Sequence, residues 1–371
     1  MGSEHTKVLQ LVGHLGCGGD TTAIMNAIHG FTDDSIDVDF ITHSGCDVSF
    51  VEMLRNEGHR VVVLDGDFRK LKFKYSVAVE NAIQSLDTNY DVFHAHTSLQ
   101  SGLALKAAKN LGIPKRICHS HVGAIQRRTS FAQRAVLESP LRKECVQNSS
   151  LLVACSRAAG DFLFKDNPYR LLYNGVDVSA SDSVSNRDCE SFRNEIGCPS
   201  DAILIGQVAR FSSMKNQLFT LDLARNLKNS EKYFFVFVGE GSSFNKIQEK
   251  AAEYGLLNTS FIGRRDDMAC IMKSLDCLLL PSLPGEGFPM TILEGVSAGT
   301  RCLISENVTE EVLMLGPALV TRLPLDGKLW TEQIHALHHK NKAQIDLGQN
   351  AMIDNGLDLE TFSEKWERMY R

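Results

Sequence analysis

Two glutamates eight positions apart bracket a segment that could bind hydroxyl groups at two points. Glu286 follows an apolar run at residues 277–280 and a Pro/Gly loop, and Glu294 lies within a helical pattern. A helix rises about 1.5 Å per residue, so Glu294 is expected roughly 7 Å beyond the helix start. This spacing suits a ligand with hydroxyls at both ends and a charged middle. A nucleotide-sugar has that form.

Two cations, Arg210 and Lys215, lie where another predicted strand ends and a helix begins. The helix dipole disfavours cations at a helix start, so a bound anion would explain both of them. A structural salt bridge is the alternative interpretation of the same residues.

Glycine-rich turns follow three predicted strands. The turn 16–19, which includes Gly18 and Gly19, matches neither the dinucleotide fingerprint nor the P-loop. Gly239 ends a second strand, and Gly263 and Arg264 end a third. Glycine lets backbone donors approach a phosphate closely, although ordinary turn chemistry explains each segment equally well.

Histidines close two predicted strands of the first half, as His94-Ala-His96 and His119-Ser-His121. A hydrogen-bonding histidine at a cleft is our preferred interpretation of the second pair. A metal site is disfavoured because no third ligand is evident nearby. Asp65-Gly-Asp67 resembles a metal-binding pattern but more simply closes a strand. We therefore expect no metal and no cofactor.

Short apolar runs alternate with helical patterns, which predicts an α/β fold of two doubly wound Rossmann-like domains that face each other across a cleft. We expect domains at 1–170 and 171–355 and a closing helix within 356–371. The polar segment 178–188 is expected to be a loop. Strands are predicted at 8–12, 38–42, 61–64, 92–94, 116–119, 151–154, 203–209, 234–238, 259–262, 277–280 and 301–304.

Composition indicates a globular, cytoplasmic protein. The 371 residues include ten cysteines without a C-x-x-C pair, and no run of 18 apolar residues occurs. The net charge is −6, yet basic residues concentrate at 69–74 and 106–143. These runs are either solvated surface or a patch that binds the anionic inner face of a membrane. Nucleic acid is not expected as a partner, because the basic runs lack interleaved aromatics.

Together these segments resemble the GT-B glycosyltransferases of the large retaining family 4. The resemblance is most specific at residues 203–305, where 286–294 matches the family's Glu-x7-Glu motif and contains Gly287, Phe288 and Pro289. The His119-Ser-His121 segment is similar to enzymes that build bacterial exopolysaccharide or capsule units. Asp20 departs from the small or apolar residue that related enzymes often carry, which leaves the acceptor side open.

The resemblance implies a role for each residue. Glu294 would bind the ribose and Glu286 the transferred sugar, helped by backbone donors around Gly287 and Phe288. Arg210 and Lys215 would neutralise the departing diphosphate. Roles at the edges of the site are implied for His121 at the donor sugar, Gly18 and Gly19 near the phosphates or acceptor, Gly239 and Gly263 along the nucleotide, and Arg264 beside the base.

A retaining transfer of a hexose from a UDP-sugar to a lipid-linked or polysaccharide-precursor acceptor is thus expected, and the closing helix would return to the first domain. Two alternatives are a nucleotide-sugar epimerase or hydrolase of the same fold and a non-catalytic nucleotide-sugar-binding protein.

Overall fold

The computed structural model describes residues 5–16, 18–66, 72–124 and 131–371. The chain divides into two compact units, one of residues 1–174 with 360–371 and one of residues 175–359. Each unit is built around its own parallel sheet.

In the first unit, the described strands form one parallel sheet in the order β3-β2-β1-β4-β5-β6-β7. They are β1 (Thr6–Val12), β2 (Ile36–His43), β3 (Val61–Leu64), β4 (Val92–Ala95), β5 (Lys115–Ser120), β6 (Leu151–Ala154) and β7 (Arg170–Leu171). The strand order reverses direction between β1 and β4. Ligands of doubly wound sheets bind beyond the carboxyl ends of the strands at such a point.

Helices cover this sheet and bury its apolar side chains. They are α1 (Gly19–His29), α2 (Val48–Asn56), α3 (Lys72–Ser85), α4 (Ser101–Asn110), α5 (Phe131–Asn148) and α6 (Arg157–Phe164). A late helix also joins this core. In it, Phe362, Trp366, Met369 and Tyr370 recur every three or four residues and are all buried beside β1 and α1 residues.

In the second unit, the described strands form a parallel sheet in the order β10-β9-β8-β11-β12-β13. They are β8 (Ile203–Val208), β9 (Tyr233–Val238), β10 (Thr259–Phe261), β11 (Cys277–Leu280), β12 (Arg301–Ser305) and β13 (Val320–Leu323). The strands β8, β9 and β11 are buried throughout, as parallel strands covered on both faces must be. Here the strand order reverses between β8 and β11.

The helices of the second unit are α7 (Asn186–Glu195), α8 (Gln217–Asn226), α9 (Phe244–Glu253), α10 (Met268–Ser274), α11 (Met290–Ser297), α12 (Gly327–His335) and α13 (Lys342–Asp354), and the late helix of the first core is α14 (Leu359–Tyr370). Apolar residues of the second unit surround Phe235, Phe237 and Trp330 in a second core.

The predicted doubly wound architecture is confirmed, and the differences are local. Residues 186–188, expected to be loop, begin α7 because Ser185 and Asp188 form a reciprocal capping box that outweighs the local polarity. The short strands β7 and β13 were not predicted from the sequence. None of the described cysteines forms a disulfide.

Candidate active site

Polar and charged side chains gather in the second unit just beyond the carboxyl ends of β8 and β11. These neighbouring strands pair with Leu278 beside Gly206. Four residues beyond each of these positions lie Arg210 and Ser282. The loop after β8 therefore runs beside the loop after β11 at the point where the strand order reverses. Arg210 and Lys215 follow β8 and Glu286 follows β11, which are the positions in the fold that the sequence predicted for them.

Lys215 and Glu286 form a partly buried ion pair, with Lys215 Nζ 2.6 Å from Glu286 Oε1. Their side chains are 16% and 7% exposed. Ser282 Oγ donates to the same carboxylate oxygen at 2.7 Å. The salt-bridge alternative thus describes Lys215 in this structure, because its ammonium lies against the carboxylate that was expected to bind sugar. One donor of the ammonium satisfies Glu286, and the other two can still face an anion.

Arg210 is exposed, and no side-chain partner of its guanidinium is found among the residues that the structure describes. Its backbone is nevertheless held, because Gln217 Nε2 donates to the Arg210 carbonyl at 3.0 Å. A fixed backbone with an unengaged guanidinium is suited to an incoming anion, since five N–H donors remain available.

Side-chain amides hold the segment between these two cations. The buried Gln207, in the otherwise apolar β8, donates through Nε2 to the Lys215 carbonyl at 2.6 Å. Asn216 has left-handed backbone angles (φ 53°, ψ 45°) and donates to the Pro281 carbonyl at 3.1 Å. Sequence reasoning missed both supporting residues. The polar Gln207 inside an apolar strand was the available signal.

The segment 286–294 has the predicted loop-to-helix form. Phe288 is buried, and Pro289 is the N-cap of α11 with no side-chain cap. The first amides of this helix, beside Gly287, therefore lack a side-chain acceptor from the cap, and a helix start of this kind attracts anions.

Glu294 is the fifth residue of α11 and is only partly accessible to solvent. Burial raises the pKa of its carboxyl to about 7. No hydrogen-bond or ion-pair partner of this carboxylate is found in the described part of the chain. A half-buried acceptor with no donor would be stabilised by ligand hydroxyls.

The loop after β9 is joined to its neighbours by backbone hydrogen bonds. Gly239 N donates to the Gly263 carbonyl at 2.7 Å, and Phe211 N donates to the Glu240 carbonyl at 2.7 Å. At Gly239 the backbone has φ +127°, and a Cβ would lie 2.2 Å from the Ala209 carbonyl oxygen. Only glycine fits there. Arg264 is exposed and lies 3.7 Å from Asp266.

The remaining predicted residues lie in the first unit. Gly18 is the N-cap of α1, and Gly19 is the first residue of this helix. Because glycine has no side chain, the start of α1 has no side-chain cap. His121 follows β5 and is partly exposed. Its Nε2 lies 2.8 Å from Nδ1 of His96, which follows β4. Burial lowers the pKa of His121 to about 4, although the Asp20 carboxylate opposes that shift.

The expectation that no third ligand lies near His119-Ser-His121 is wrong. β4 and β5 are adjacent, and ring nitrogens of His94, His96 and His119 lie within 4.8 Å of one another, close enough to hold a metal ion. Strand adjacency could not be derived from the spacing of either pair alone. Of the Asp65-Gly-Asp67 pattern, Asp67 lies outside the described residues.

The basic run at 106–143 is partly engaged in structural contacts. Lys115 donates to the Tyr370 carbonyl, Arg116 donates to the Asn148 carbonyl, and Arg142 pairs with Glu138. Lys106 and Lys109 on α4 and Lys143 on α5 are exposed. Residues 125–130 and residues 69–71 of the other basic run lie outside the described residues. No described helix is long and apolar enough to cross a membrane.

Profiles of two protein families together cover most of the chain. Glycosyltransferase Family 4 matches residues 17–180, and Glycosyl transferases group 1 matches residues 188–351. A Bacillus subtilis protein named "Putative glycosyltransferase EpsF" is 31% identical over 369 residues, which cover 97% of this chain and 95% of that protein.

Two further comparisons extend this result. The Escherichia coli UDP-Gal:alpha-D-GlcNAc-diphosphoundecaprenol alpha-1,3-galactosyltransferase is 25% identical over 58% of each chain. The crystal structure of Anabaena HepE in complex with UDP-glucose superposes with a TM-score of 0.76 over 98% of this chain and 99% of HepE, at 18% identity. At that identity the superposition shows a shared fold.

Proposed function

Because this chain belongs to the family 4 glycosyltransferases of the GT-B fold, we propose that it transfers a hexose from a nucleoside-diphosphate donor to an acceptor hydroxyl. The donor we propose is a UDP-sugar. The acceptor is a lipid-linked or polysaccharide-precursor saccharide, and the anomeric configuration of the sugar is retained.

The arrangement at the ends of β8 and β11 carries the proposal. Lys215 is held against Glu286 at 2.6 Å, while the nearby Arg210 guanidinium is exposed and unengaged by any described residue. A bound diphosphate would supply negative charge to balance both cations. A carboxylate oxygen of Glu286 would then remain available to hydroxyls of the sugar, and the carboxylate of Glu294 to hydroxyls of the ribose.

The chemistry follows from where charge develops. The bond between the anomeric carbon and the phosphate oxygen breaks, and its electron pair leaves with the nucleoside diphosphate. The acceptor oxygen attacks the anomeric carbon on the face from which the diphosphate departs, and the proton of the acceptor hydroxyl passes to the departing phosphate. Arg210 and Lys215 stabilise the charge on the leaving group, where one such donor contributes about 3 kcal/mol.

The hydrogen bonds of Glu286 favour a role in binding sugar over a role as a nucleophile. Its Oε1 already accepts from Lys215 Nζ and Ser282 Oγ. A carboxylate oxygen that accepts two hydrogen bonds, one of them charged, is a weak nucleophile. The two-carboxylate scheme of retaining hydrolases is therefore not proposed. The two cations take the place of a divalent metal, so we expect transfer to continue in excess EDTA.

Relatives guide the choice of substrates. The printed name of the Escherichia coli relative contains a UDP-sugar donor and a diphosphoundecaprenol-linked acceptor, and HepE is described in complex with UDP-glucose. These names support a uridine nucleotide and a lipid-linked acceptor as the first substrates to assay.

Calorimetric titration with UDP, GDP and ADP tests the donor site. We expect one of them, UDP first, to bind, and Arg210→Ala to weaken that binding about 100-fold. Arg225→Ala is the matched control, because Arg225 lies over the Tyr254 ring, away from the predicted site residues. If no nucleotide binds and Arg210→Ala changes nothing, the proposal is wrong.

Transfer is then measured with a UDP-sugar and a diphosphate-lipid-linked saccharide. A new glycosidic bond that requires both substrates supports a transferase. Conversion of the donor alone to a new sugar would favour the epimerase or hydrolase alternative, and binding without any turnover would favour a non-catalytic protein.

We also propose peripheral association with an anionic membrane through the exposed lysines of α4 and α5. Lys106, Lys109 and Lys143 are the exposed lysines in the described part of the 106–143 run, and Lys106 lies 4.0 Å from the Glu144 carboxylate. Each can contribute about 1 kcal/mol at an anionic surface.

Liposome flotation tests the association. Binding to anionic vesicles should be lost in high salt and in the triple Lys→Glu variant at 106, 109 and 143. A triple Lys→Glu variant at 228, 232 and 246, three exposed positions of the second unit, is the charge-matched control. Equal binding to neutral vesicles would contradict the proposal.

A further inference from the structure

Ser282 is a buried serine whose hydroxyl holds one oxygen of the Glu286 carboxylate. It lies two residues beyond the end of β11 and is fully buried. Its Oγ lies 2.7 Å from Glu286 Oε1. Because an ionised carboxylate carries no proton, this hydrogen bond has one possible direction, from the serine hydroxyl to the glutamate. In the proposed function Glu286 binds the transferred sugar, and Ser282 has no assigned role.

Two side chains at the end of β12 hold the main chain of Ser282. Ser305, the last residue of β12, donates through Oγ to the Ser282 carbonyl at 2.5 Å, and Asn307 donates through Nδ2 to the same oxygen at 3.2 Å. A carbonyl oxygen only accepts, so both of these bonds also have one direction. Since β11 and β12 are adjacent parallel strands, the end of β12 fixes the backbone that carries the Ser282 hydroxyl.

The loop after β8 holds the residues on either side of Ser282. Asn216 Nδ2 donates to the Pro281 carbonyl at 3.1 Å, and Leu283 N donates to the Met214 carbonyl at 2.8 Å. The segment around Ser282 is thus bonded both to the loop after β8 and to the end of β12. A residue that contacts a ligand is placed precisely when the side chains that hold it are themselves fixed by hydrogen bonds.

These contacts distinguish the two oxygens of the Glu286 carboxylate. Oε1 accepts from Ser282 Oγ and from Lys215 Nζ, whereas no hydrogen bond to Oε2 is found in the part of the chain that the structure describes. A diphosphate would compete with Glu286 for the Lys215 ammonium, because both are anions. The neutral Ser282 hydroxyl is not subject to that competition. Ser282 is therefore the contact that keeps the carboxylate in place once the diphosphate is bound.

We propose that Ser282 is a positioning residue that holds the Glu286 carboxylate in one orientation, with Oε2 left to accept hydrogen bonds from hydroxyls of the donor sugar. Ser305 and Asn307 position Ser282 in turn. The inference rests on the proposed function, in which Glu286 binds the transferred sugar. It adds that recognition of the sugar depends on the end of β12, whereas binding of the diphosphate does not. Changes at Ser282 should therefore affect a UDP-sugar and UDP differently.

A purely structural role of Ser282 is the competing interpretation. In that case its hydrogen bonds serve only to fold the loop between β11 and α11, which also carries the backbone beside Gly287. A distorted loop would disturb the diphosphate at the start of α11 as well as the sugar, since a helix start binds anions through its backbone amides. UDP and a UDP-sugar would then lose affinity together, whereas the positioning role predicts a loss for the UDP-sugar alone.

Calorimetric titration of Ser282→Ala with UDP, UDP-glucose and UDP-galactose separates the two roles. The UDP-sugar that the wild type binds more tightly is compared with UDP. We expect its dissociation constant to rise about tenfold in the variant, and that of UDP to change by less than about twofold. Equal losses for both ligands, or no loss for either, would overturn the inference. A wild type that binds UDP but neither UDP-sugar would overturn it too, whereas a wild type that binds none of the three would refute the proposed donor and the inference with it.

Asn307→Ala supplies a milder change, because Ser305 still holds the Ser282 carbonyl. We expect the same selective loss for the UDP-sugar, of about threefold. In a Glu286→Ala background, neither Ser282→Ala nor Asn307→Ala should change the ratio of the two dissociation constants further, since the carboxylate that they position is absent. A selective loss that persists in this background would overturn the inference. If Ser282→Ala does not fold, Asn307→Ala in the two backgrounds decides.

Ser274→Ala is the matched control for Ser282→Ala. Ser274 is also a buried serine of the second unit, and its hydroxyl donates at 2.7 Å to the Cys270 carbonyl within α10. The control removes the same atom from the same core, and both dissociation constants should keep their wild-type values. A selective loss for the UDP-sugar in Ser274→Ala would show that the effect is not specific to the support of Glu286, and would overturn the inference.

Discussion

Donor binding should weaken as the pH falls below 7, because Glu294 must be ionised to accept hydrogen bonds from two ribose hydroxyls. Burial raises the pKa of this carboxyl to about 7, and no donor from the described residues stabilises its charged form. Hydroxyl donors stabilise the carboxylate relative to the protonated acid. Binding below pH 7 must therefore release a proton, and the released proton opposes binding in acid.

The size of the pH effect on donor affinity follows from the ionised fraction of Glu294. With a pKa of about 7, roughly one-tenth of Glu294 is ionised at pH 6 and roughly nine-tenths at pH 8. If only the carboxylate binds, the dissociation constant rises about tenfold from pH 8 to pH 6, which is about 1.4 kcal/mol. At pH 7 about half a proton should be released for each ligand bound.

Calorimetry with UDP-glucose between pH 6 and pH 8 measures both quantities, since a nucleotide-sugar diphosphate has no group that titrates there. Buffers with different ionisation enthalpies report the protons released. His121, with a pKa of about 4, stays neutral throughout. Burial lowers the pKa of Lys340 to about 7 as well, but its ammonium faces the carbonyls of Met272 and Ala298.

The Glu294→Gln variant distinguishes titration of Glu294 from titration of other groups. The variant should bind the donor with the same weak affinity at pH 6 and pH 8, and proton release should vanish. Retention of the tenfold pH dependence in Glu294→Gln would assign it to another group. An affinity of the wild type that is constant over this range would refute the role of a half-buried carboxyl.

Two further predictions concern the same unit. Lys215→Met and Glu286→Gln should show a coupling of about 1–3 kcal/mol in urea unfolding, because either change alone strands a partly buried charge, and zero coupling would refute the ion pair. Gly239→Ala should lower the free energy of unfolding by at least about 2 kcal/mol, because the new Cβ meets the Ala209 carbonyl. Gly263→Ala, with open space around the new Cβ, should lower it by only about 1 kcal/mol. Equal losses for the two variants in thermal unfolding would contradict this prediction.

The sequence predicted the fold because parallel strands covered on both faces are continuous apolar runs. The runs at 61–64, 151–154 and 277–280 coincide with β3, β6 and β11. It also located Glu286, Glu294, Arg210 and Lys215, because strand ends and helix starts can be recognised from local patterns. Local pattern failed at Ser185, where a cap begins a helix inside a polar segment.

What residue patterns determined by themselves was therefore the kind of fold, the family and the loops that carry charged residues. Only the tertiary structure decided which of those residues meet. Lys215 and Glu286 are 71 positions apart, and Gln10 and Tyr370 are 360 positions apart, yet each pair is joined by a hydrogen bond of 2.6 Å. Periodicity reports the environment of each segment, whereas such contacts depend on the order of strands in a sheet, which no single segment encodes.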